Sequence, residues 1–155
     1  MVFLWANGSD VKRKVFRMQR NFPVPQNKNA VPLLEKELTD KIIGAAIEVH
    51  KILGPGLLES VYQVCMEHES TLRNIPFERL VDWPLNYKGL DLDAGYVIDL
   101  IYDKRVIVEL KAVERVIPVH EAQLLTYMKL TGIRVGLLIN FNVPVLKDGI
   151  YRRVL

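Results

Sequence analysis

The run Val106-Ile107-Val108-Glu109-Leu110-Lys111 reads as a short, nearly all-apolar strand that ends in Glu-x-Lys, and Asp99 closes the strand-like run Tyr96-Val97-Ile98-Asp99 just before it. Ionised groups at the end of a buried strand are costly unless they pair with one another or hold a cation. Two residues apart on a strand, Glu109 and Lys111 project to one face while Val108 and Leu110 point to the other. One face becomes chemical and the other core. Converging carboxylates on Asp99 and Glu109 suit Mg²⁺ or Mn²⁺, hard cations that take one or two carboxylates, retain waters and accept phosphate oxygens. Such a metal acidifies a water and offsets charge growing on a phosphorane, and Lys111 would orient the nucleophile or stabilise the same charge. The pattern points to phosphodiester hydrolysis.

Glu-x-Lys alone means little, since about 0.7 occurrences are expected by chance in a chain of this composition. An Asp-Lys or Glu-Lys ion pair at a sheet edge accounts for the same residues without chemistry. Hairpin parity separates the two readings. Asp99 faces Glu109 only if the pairing sum is even, as in a three-residue loop Asp103-Lys104-Arg105 joining Tyr102 to Val106. A two-residue loop puts them on opposite faces unless a bulge or bend re-aims Asp99.

Two weaker clusters accompany the first. In Gly56-Leu57-Leu58-Glu59-Ser60-Val61-Tyr62, Glu59 and Tyr62 are three apart and share a helical face, although an acid at a helix start also simply complements the macrodipole. In Gln123-Leu124-Leu125-Thr126-Tyr127, an amide and a phenol lie one turn apart on a helix following the Glu-x-Lys strand. They can bind phosphate or a base edge and stack, or the Tyr can be a core residue with a wet hydroxyl.

The elements that must position these residues follow from periodicity. Residues 1–36 have no sustained pattern, and Asn21 to Asn29, with two prolines, reads as an extended connector. Globular order is expected from Thr39, an N-cap candidate, with Ile42, Ile43, Ala46, Ile47, Val49, Ile52 and Leu53 at helical spacing until Gly54-Pro55-Gly56. A second helix is expected from about Leu58 to Leu72, with Val61, Tyr62, Cys65 and Met66 inward. Short runs Phe77–Val81, Leu85–Tyr87, Tyr96–Tyr102 and Val106–Leu110 read as a strand meander. A third helix, His120 to Leu130, follows Pro118, and the strand Val135 to Phe141 should enter the sheet centre. A last strand, Ile150 to Val154, follows Lys147-Asp148-Gly149. The α-α-β-β-β-α-β-β order means an α/β sandwich.

Composition bounds the rest. The 155 residues, half of them apolar, fit one domain (37–155) with a short appendage (1–36). Of the net charge of +3, residues 1–30 carry +5, from six basic side chains against Asp10, which leaves −2 on the remainder. A basic tail can touch phosphates or simply be a solvated appendage. Met1 to Ala6 is too short for the apolar core of a secretory signal, and a mitochondrial-type presequence has little support. No apolar run of about 18 residues exists to span a membrane, so a soluble, cytoplasmic protein is expected. The single Cys65 excludes an internal disulfide and a Cys-ligated zinc or iron-sulfur site built from this chain.

Together these residues resemble a known family. Gly56-x-x-Glu59-x-x-Tyr62 matches the signature of the GxxExxY proteins, and Asp99, Glu109-x-Lys111 and Gln123-x-x-x-Tyr127 are similar to the PD-(D/E)XK nuclease motifs in RecB-like order. The resemblance spans about Leu38 to Leu155 and includes Leu38-Thr39-Asp40-Lys41-Ile42 and Gly136-Leu137-Leu138-Ile139-Asn140-Phe141. It implies a restriction-endonuclease-like mixed β-sheet flanked by helices. By the same resemblance, Glu59, Asp99, Glu109 and Lys111 are the catalytic set. Glu59, Asp99, Glu109 and the Leu110 carbonyl hold the metal, and Gln123, Tyr127 and Tyr62 face the substrate. One departure is visible: Ile98 stands where the superfamily name has proline. His50 occupies a place where some RecB-like nucleases carry a metal-binding His, though a helix-surface or capping role is expected here.

The implied activity is a metal-dependent nuclease acting on DNA or RNA. The alternative is a catalytically silent module of the same fold that binds nucleic acid or a protein partner. A third reading, a structural domain with acids in ion pairs, predicts no stabilisation by Mn²⁺. DNA against RNA, endo- against exonuclease action and oligomeric state, a homo-oligomer included, stay open, because one scaffold hosts many functions.

Overall fold

Residues 33–155 are described by a computed structural model, the side chains of residues 93–95 excepted. The extended connector and most of the basic appendage expected from the sequence lie outside them. Helices α1 (Lys36–Leu53) and α2 (Glu59–Leu72) are followed by strands β1 (Phe77–Tyr87), β2 (Leu90–Tyr102) and β3 (Val106–Lys111). Helix α3 (Pro118–Thr131), strand β4 (Val135–Asn140), a 3₁₀ turn (Leu146–Gly149) and β5 (Ile150–Val154) complete the order. The expected α-α-β-β-β-α-β-β succession is the observed one.

The five strands form one sheet in the order β1-β2-β3-β4-β5. Only β3 and β4 run parallel; the other neighbours are antiparallel. Both β3 and β4 are buried along their whole length, because α1 and α2 cover one face and α3 the other. Val106, Val108 and Leu110 pack with Val135, Leu137 and Ile139 beneath Ile42, Ala46, Tyr62 and Met66. Ile107 and Leu138 pack on the opposite face against Leu124, Tyr127 and Met128. Period-two alternation thus sends Glu109 and Lys111 to the α3 face, although both are buried.

Hairpin geometry sets the register. Tyr87 pairs with Leu90 across Lys88-Gly89, and both turn residues have positive φ, 52° and 91°, as a two-residue turn matched to strand twist requires. The β2–β3 hairpin closes on Tyr102 and Val106, the three-residue loop that makes the pairing sum even.

Several boundaries differ from expectation. Helix α1 begins at Lys36, and Thr39 is buried inside it, its hydroxyl donating to the Glu35 and Lys36 carbonyls, 3.0 Å each. Pairs Lys36–Asp40 and Glu37–Lys41 support the added turn. The two runs expected around Pro84 are one strand, β1, with a register shift between Trp83 and Leu85. An outer strand tolerates proline there because no inner neighbour needs the missing N–H. Val61 is exposed; the inward stripe of α2 is Tyr62, Gln63, Met66 and Ser70, with Cys65 half-buried.

Helix α3 seats closely on β4 because position 136 has no side chain: a Cβ on Gly136 would meet Met128 Sδ at 2.6 Å and Leu124 Cδ1 at 2.8 Å. At Gly149 a Cβ would meet the Asn140 backbone carbonyl at 2.2 Å. A side-chain end can swing aside and a strand carbonyl cannot. Gly149→Ala is therefore expected to cost about 1–3 kcal/mol, more than Gly136→Ala, in urea unfolding. The reverse order would mean that the α3–sheet contact is the stiffer one.

Candidate active site

The ladder between β2 and β3 ends at the pair Leu100–Val108. One step further the register sets Asp99 opposite Glu109, but there the strands fork. In an antiparallel ladder, alternate residues turn both N–H and C=O to the same neighbour. Lys111 turns its carbonyl to β4, where it accepts from Phe141 N–H at 2.8 Å, so Leu110 faces the fork. With no β2 backbone to meet it, Leu110 N–H donates to Asp99 Oδ2 at 2.8 Å. The Leu110 carbonyl points into the same gap.

Asp99 is re-aimed by an irregularity in its own strand. Ile98 and Ile101 both pack on the α3 side, whereas Leu100 and Tyr102 pack on the other, so the alternation slips at Asp99. Across from it, between the pairs Arg79–Leu100 and Val81–Ile98, Leu80 has φ 44°. The even parity and the bend expected as alternatives are both present. A buried amide holds the bend: Gln63 Nε2 donates to the Asp99 backbone carbonyl at 3.2 Å and to Glu67 Oε1 at 2.9 Å. Arg79 in turn donates to Glu67 Oε2 at 2.9 Å.

Glu109 is 1% exposed. Its Oε1 accepts from Lys111 Nζ at 2.6 Å, and its Oε2 is buried without a hydrogen-bond partner. Burial, reinforced by the Asp99 charge, pushes this carboxyl up from 4.5 to about 7 against the pull of Lys111. Burial also raises Asp99, opposed by Leu110 N–H and Lys111. For Lys111 burial pulls downward, but its bond to Glu109 and the carboxylates of Glu109, Glu59 and Asp99 carry the ammonium above its ordinary value. Lys111 therefore stays charged while Glu109 is poised near neutrality.

Glu59 opens α2 and is exposed. It lines a cleft of about 320 Å³ with Asp99, Gln63, Glu67, Arg79 and Leu80, and its charge is felt by Asp99, Glu109 and Lys111. Among the described residues, no three His, Cys, Asp or Glu side chains gather closely enough to ligate one ion. Of the expected set of Glu59, Asp99 and Glu109, the last two meet at the fork, and Glu59 stands at the helix start on the cleft that Asp99 also lines. The donors that do suit a hard cation are the orphaned Glu109 Oε2, the Asp99 carboxylate and the Leu110 carbonyl, oxygens all.

Tyr62 points into the core. It is fully buried, stacks on Phe141 at 4.4 Å and 14°, donates to the Gly54 carbonyl at 2.6 Å and accepts from Leu57 N–H at 3.2 Å. It clamps the loop that delivers Glu59. Gln123 and Tyr127 do sit together on the site side of α3, with Gln123 Nε2 donating to the Tyr127 hydroxyl at 2.8 Å. Tyr127 is itself buried, and burial first, then the Glu109 and Asp99 charges, raise its phenol, against its bond from Gln123 and the Lys111 charge. His50 is buried, not a surface histidine; its Nε2 bonds the Val143 carbonyl at 2.8 Å.

Two positioning residues were not foreseen. Gln63 looked like one more polar helix residue, and its partner is 36 positions away. Asn140 ends an all-apolar strand, and that signal was available. Its buried amide accepts from Val113 N–H at 3.0 Å and donates to the Val113 carbonyl at 2.8 Å, pinning the chain just beyond Lys111.

A mixed sheet covered on both faces, with a carboxylate-lined fork and Glu-x-Lys on its central strand, defines the restriction-endonuclease-like class of nuclease folds. The chain belongs to the PD-(D/E)XK nuclease superfamily, whose family model matches residues 36–154. That match reaches the superfamily and not the narrower GxxExxY group. No curated protein and no solved structure gives a significant match. Members of the superfamily generally work with divalent metals. Among the described residues no helix is long and apolar enough to cross a membrane.

The raised Glu109 carboxyl has a signed consequence for stability. Between about pH 4.5 and 7 the unfolded chain has lost this proton and the folded one keeps it. The contribution is therefore fully present below 4.5 and is lost as pH rises through 7. In EDTA, the unfolding free energy of wild type relative to Glu109→Gln should fall across that window, by up to about 3 kcal/mol. Denaturant titrations at several pH values check this; a flat or rising difference contradicts a buried, proton-holding Glu109.

Proposed function

We propose that this domain, residues 37–155, is a divalent-metal-dependent nuclease that hydrolyses phosphodiester bonds of DNA or RNA. The observation that carries the reading is the Glu109 carboxylate, which has one oxygen bonded to Lys111 and the other buried without a partner beside Asp99. A carboxylate oxygen left so is costly, and a cation removes the cost. Asp99, Glu109 and the Leu110 carbonyl would hold Mg²⁺ or Mn²⁺. When bound, such an ion supplies Lewis acidity toward a phosphate oxygen and toward water.

The protein's own groups do the rest. Lys111 stays protonated beside the fork, where its ammonium stabilises negative charge gathering on the phosphorus oxygens and orients the attacking water. Asp99 is kept in place from two sides, by Leu110 N–H and through Gln63. Glu59, at the cleft mouth, tunes the charge of all three and is suited to hold an outer water. Gln123 and Tyr127 contact the substrate from α3. Residues 1–36 carry a net positive charge that suits contact with substrate phosphates. A cytoplasmic location agrees with the free thiol of Cys65.

A second reading has two observations in its favour: Lys111 already satisfies part of Glu109, and among the described residues no three ligating side chains cluster. A silent nuclease-fold module that binds nucleic acid or protein would look the same. The full-length protein, incubated with labelled single- and double-stranded DNA and RNA in Mn²⁺, should cut at least one of them and be silent in EDTA. Lys111→Ala and Glu109→Gln should each lower the rate at least about a hundredfold. Cutting that persists in both variants marks a contaminant. Thermal stabilisation by Mn²⁺ that depends on Asp99 and Glu109, without cutting of any substrate, favours the silent module.

A further inference from the structure

Beside the fork, on the α3 side, lies a second cleft of about 350 Å³ lined by Tyr96, Val119, Ala122, Gln123, Thr126 and Tyr127. Resting on the nuclease reading of the adjoining site, we propose that this cleft receives the base of an unpaired nucleotide, so that the substrate is a single-stranded nucleic acid.

Four features of the cleft lead there. Its floor is aromatic: Tyr96 is 39% exposed, and the Tyr127 ring meets its ring edge-on at 5.6 Å and 66°. The contact fixes the ring's orientation while leaving a face for stacking. The wall carries an amide with capacity to spare. Gln123 donates one N–H to Tyr127; among the described residues its second N–H and its oxygen have no partner, a donor and an acceptor side by side as a base edge presents them. Val119, Ala122, Gln123 and Thr126 share one face of α3 by helical spacing, so the wall is continuous. Finally, neither Lys nor Arg lines the cleft, so it attracts a neutral ring and not a phosphate.

The cleft also has the right neighbour. Tyr127 borders it and feels the charges of Glu109, Asp99 and Lys111, which places a bound base next to the fork. The volume suits one ring with its sugar, at the small end of ligand sites. A base in a duplex has its faces stacked and its edge paired, so it cannot offer both to Tyr96 and Gln123. Nor does this part of the chain offer a duplex a cationic track: residues 33–155 hold 15 Lys and Arg against 17 Asp and Glu.

The test is fluorescence anisotropy of the full-length protein with labelled 12-mers of single-stranded DNA, single-stranded RNA and duplex DNA, in EDTA and moderate salt, where binding is read without cutting. One single strand at least should bind tenfold or more tighter than the duplex, and which one identifies the sugar. Tyr96→Ala should weaken that binding by about five- to a hundredfold, Tyr96→Phe should retain it, and Thr126→Trp, which fills the cleft from its exposed side, should weaken it in a folded protein. An oligonucleotide with abasic positions should bind as the Tyr96→Ala variant binds the normal one. Equal affinity for duplex, no single-strand binding, or single-strand affinity indifferent to both Tyr96→Ala and Thr126→Trp overturns the proposal. Tyr96-dependent single-strand binding with no Mn²⁺-dependent cutting sinks the nuclease reading and leaves the cleft standing. Cutting that requires Lys111 but ignores the cleft variants does the opposite.

Discussion

Where β2 parts from β3, a side chain takes over the work of a strand. The N–H of Leu110 would be an unpaired donor in the middle of a buried sheet, which is costly, and Asp99 Oδ2 accepts it at 2.8 Å. That one bond ties the carboxylate to the strand that carries Glu109 and Lys111. It also keeps the fork open, because β2 can leave without orphaning Leu110. The slip in the side-chain alternation at Asp99, the positive φ of Leu80 and the Gln63 bond to the Asp99 carbonyl are all parts of the same departure.

The fork explains why Glu109 and Lys111 tolerate burial there, with Asp99 half-buried beside them. A Glu-Lys pair removed from water recovers its desolvation cost only if the remaining lone pairs find partners, and Glu109 leaves one oxygen without any. In the metal-free protein the proton eases this strain, which is why the carboxyl titrates near 7. A cation held at the same place, as proposed, would ease it differently, by replacing the proton, and would then compete with the proton for Glu109.

Much of this was legible in the sequence, and the limits are instructive. The β3 strand announces itself because four of its features agree: length, apolar content, flanking turn residues, and a carboxylate and a lysine on one face. The parity argument also held, since Tyr102 and Val106 close a three-residue loop, and loop length is a local property. The resemblance to the PD-(D/E)XK nucleases led to the fold class that the family match supports. What spacing did not show was the contacts that residues make with distant partners. Tyr62 sits in a motif that suggests contact with substrate, yet its hydroxyl is used up by Gly54 and Leu57 and its ring by Phe141. Gln63 and Asn140 act through backbone groups far along the chain, which no spacing rule reveals. Thr39 misled because a Thr before an apolar run is an N-cap signal only if the helix begins there, and i,i+4 ion pairs carried α1 one turn further back.

The two faces of the fork differ in chemistry because they are covered by different helices. On the α2 side the cleft beside Asp99 is charged, with Glu59, Glu67 and Arg79. On the α3 side it is neutral and aromatic. This division follows from packing. Helix α2 packs over β3 and reaches out to the outer strand β1, where long charged side chains meet water, and its Gln63 is drawn inward to the bend at Asp99. Helix α3 is seated on β4 at Gly136, and toward β2 it presents Leu124, Tyr127 and Met128 to Ile98 and Ile101. A chain threaded across the fork would therefore meet charge on one side, where Asp99 lines the cleft, and a stacking surface on the other.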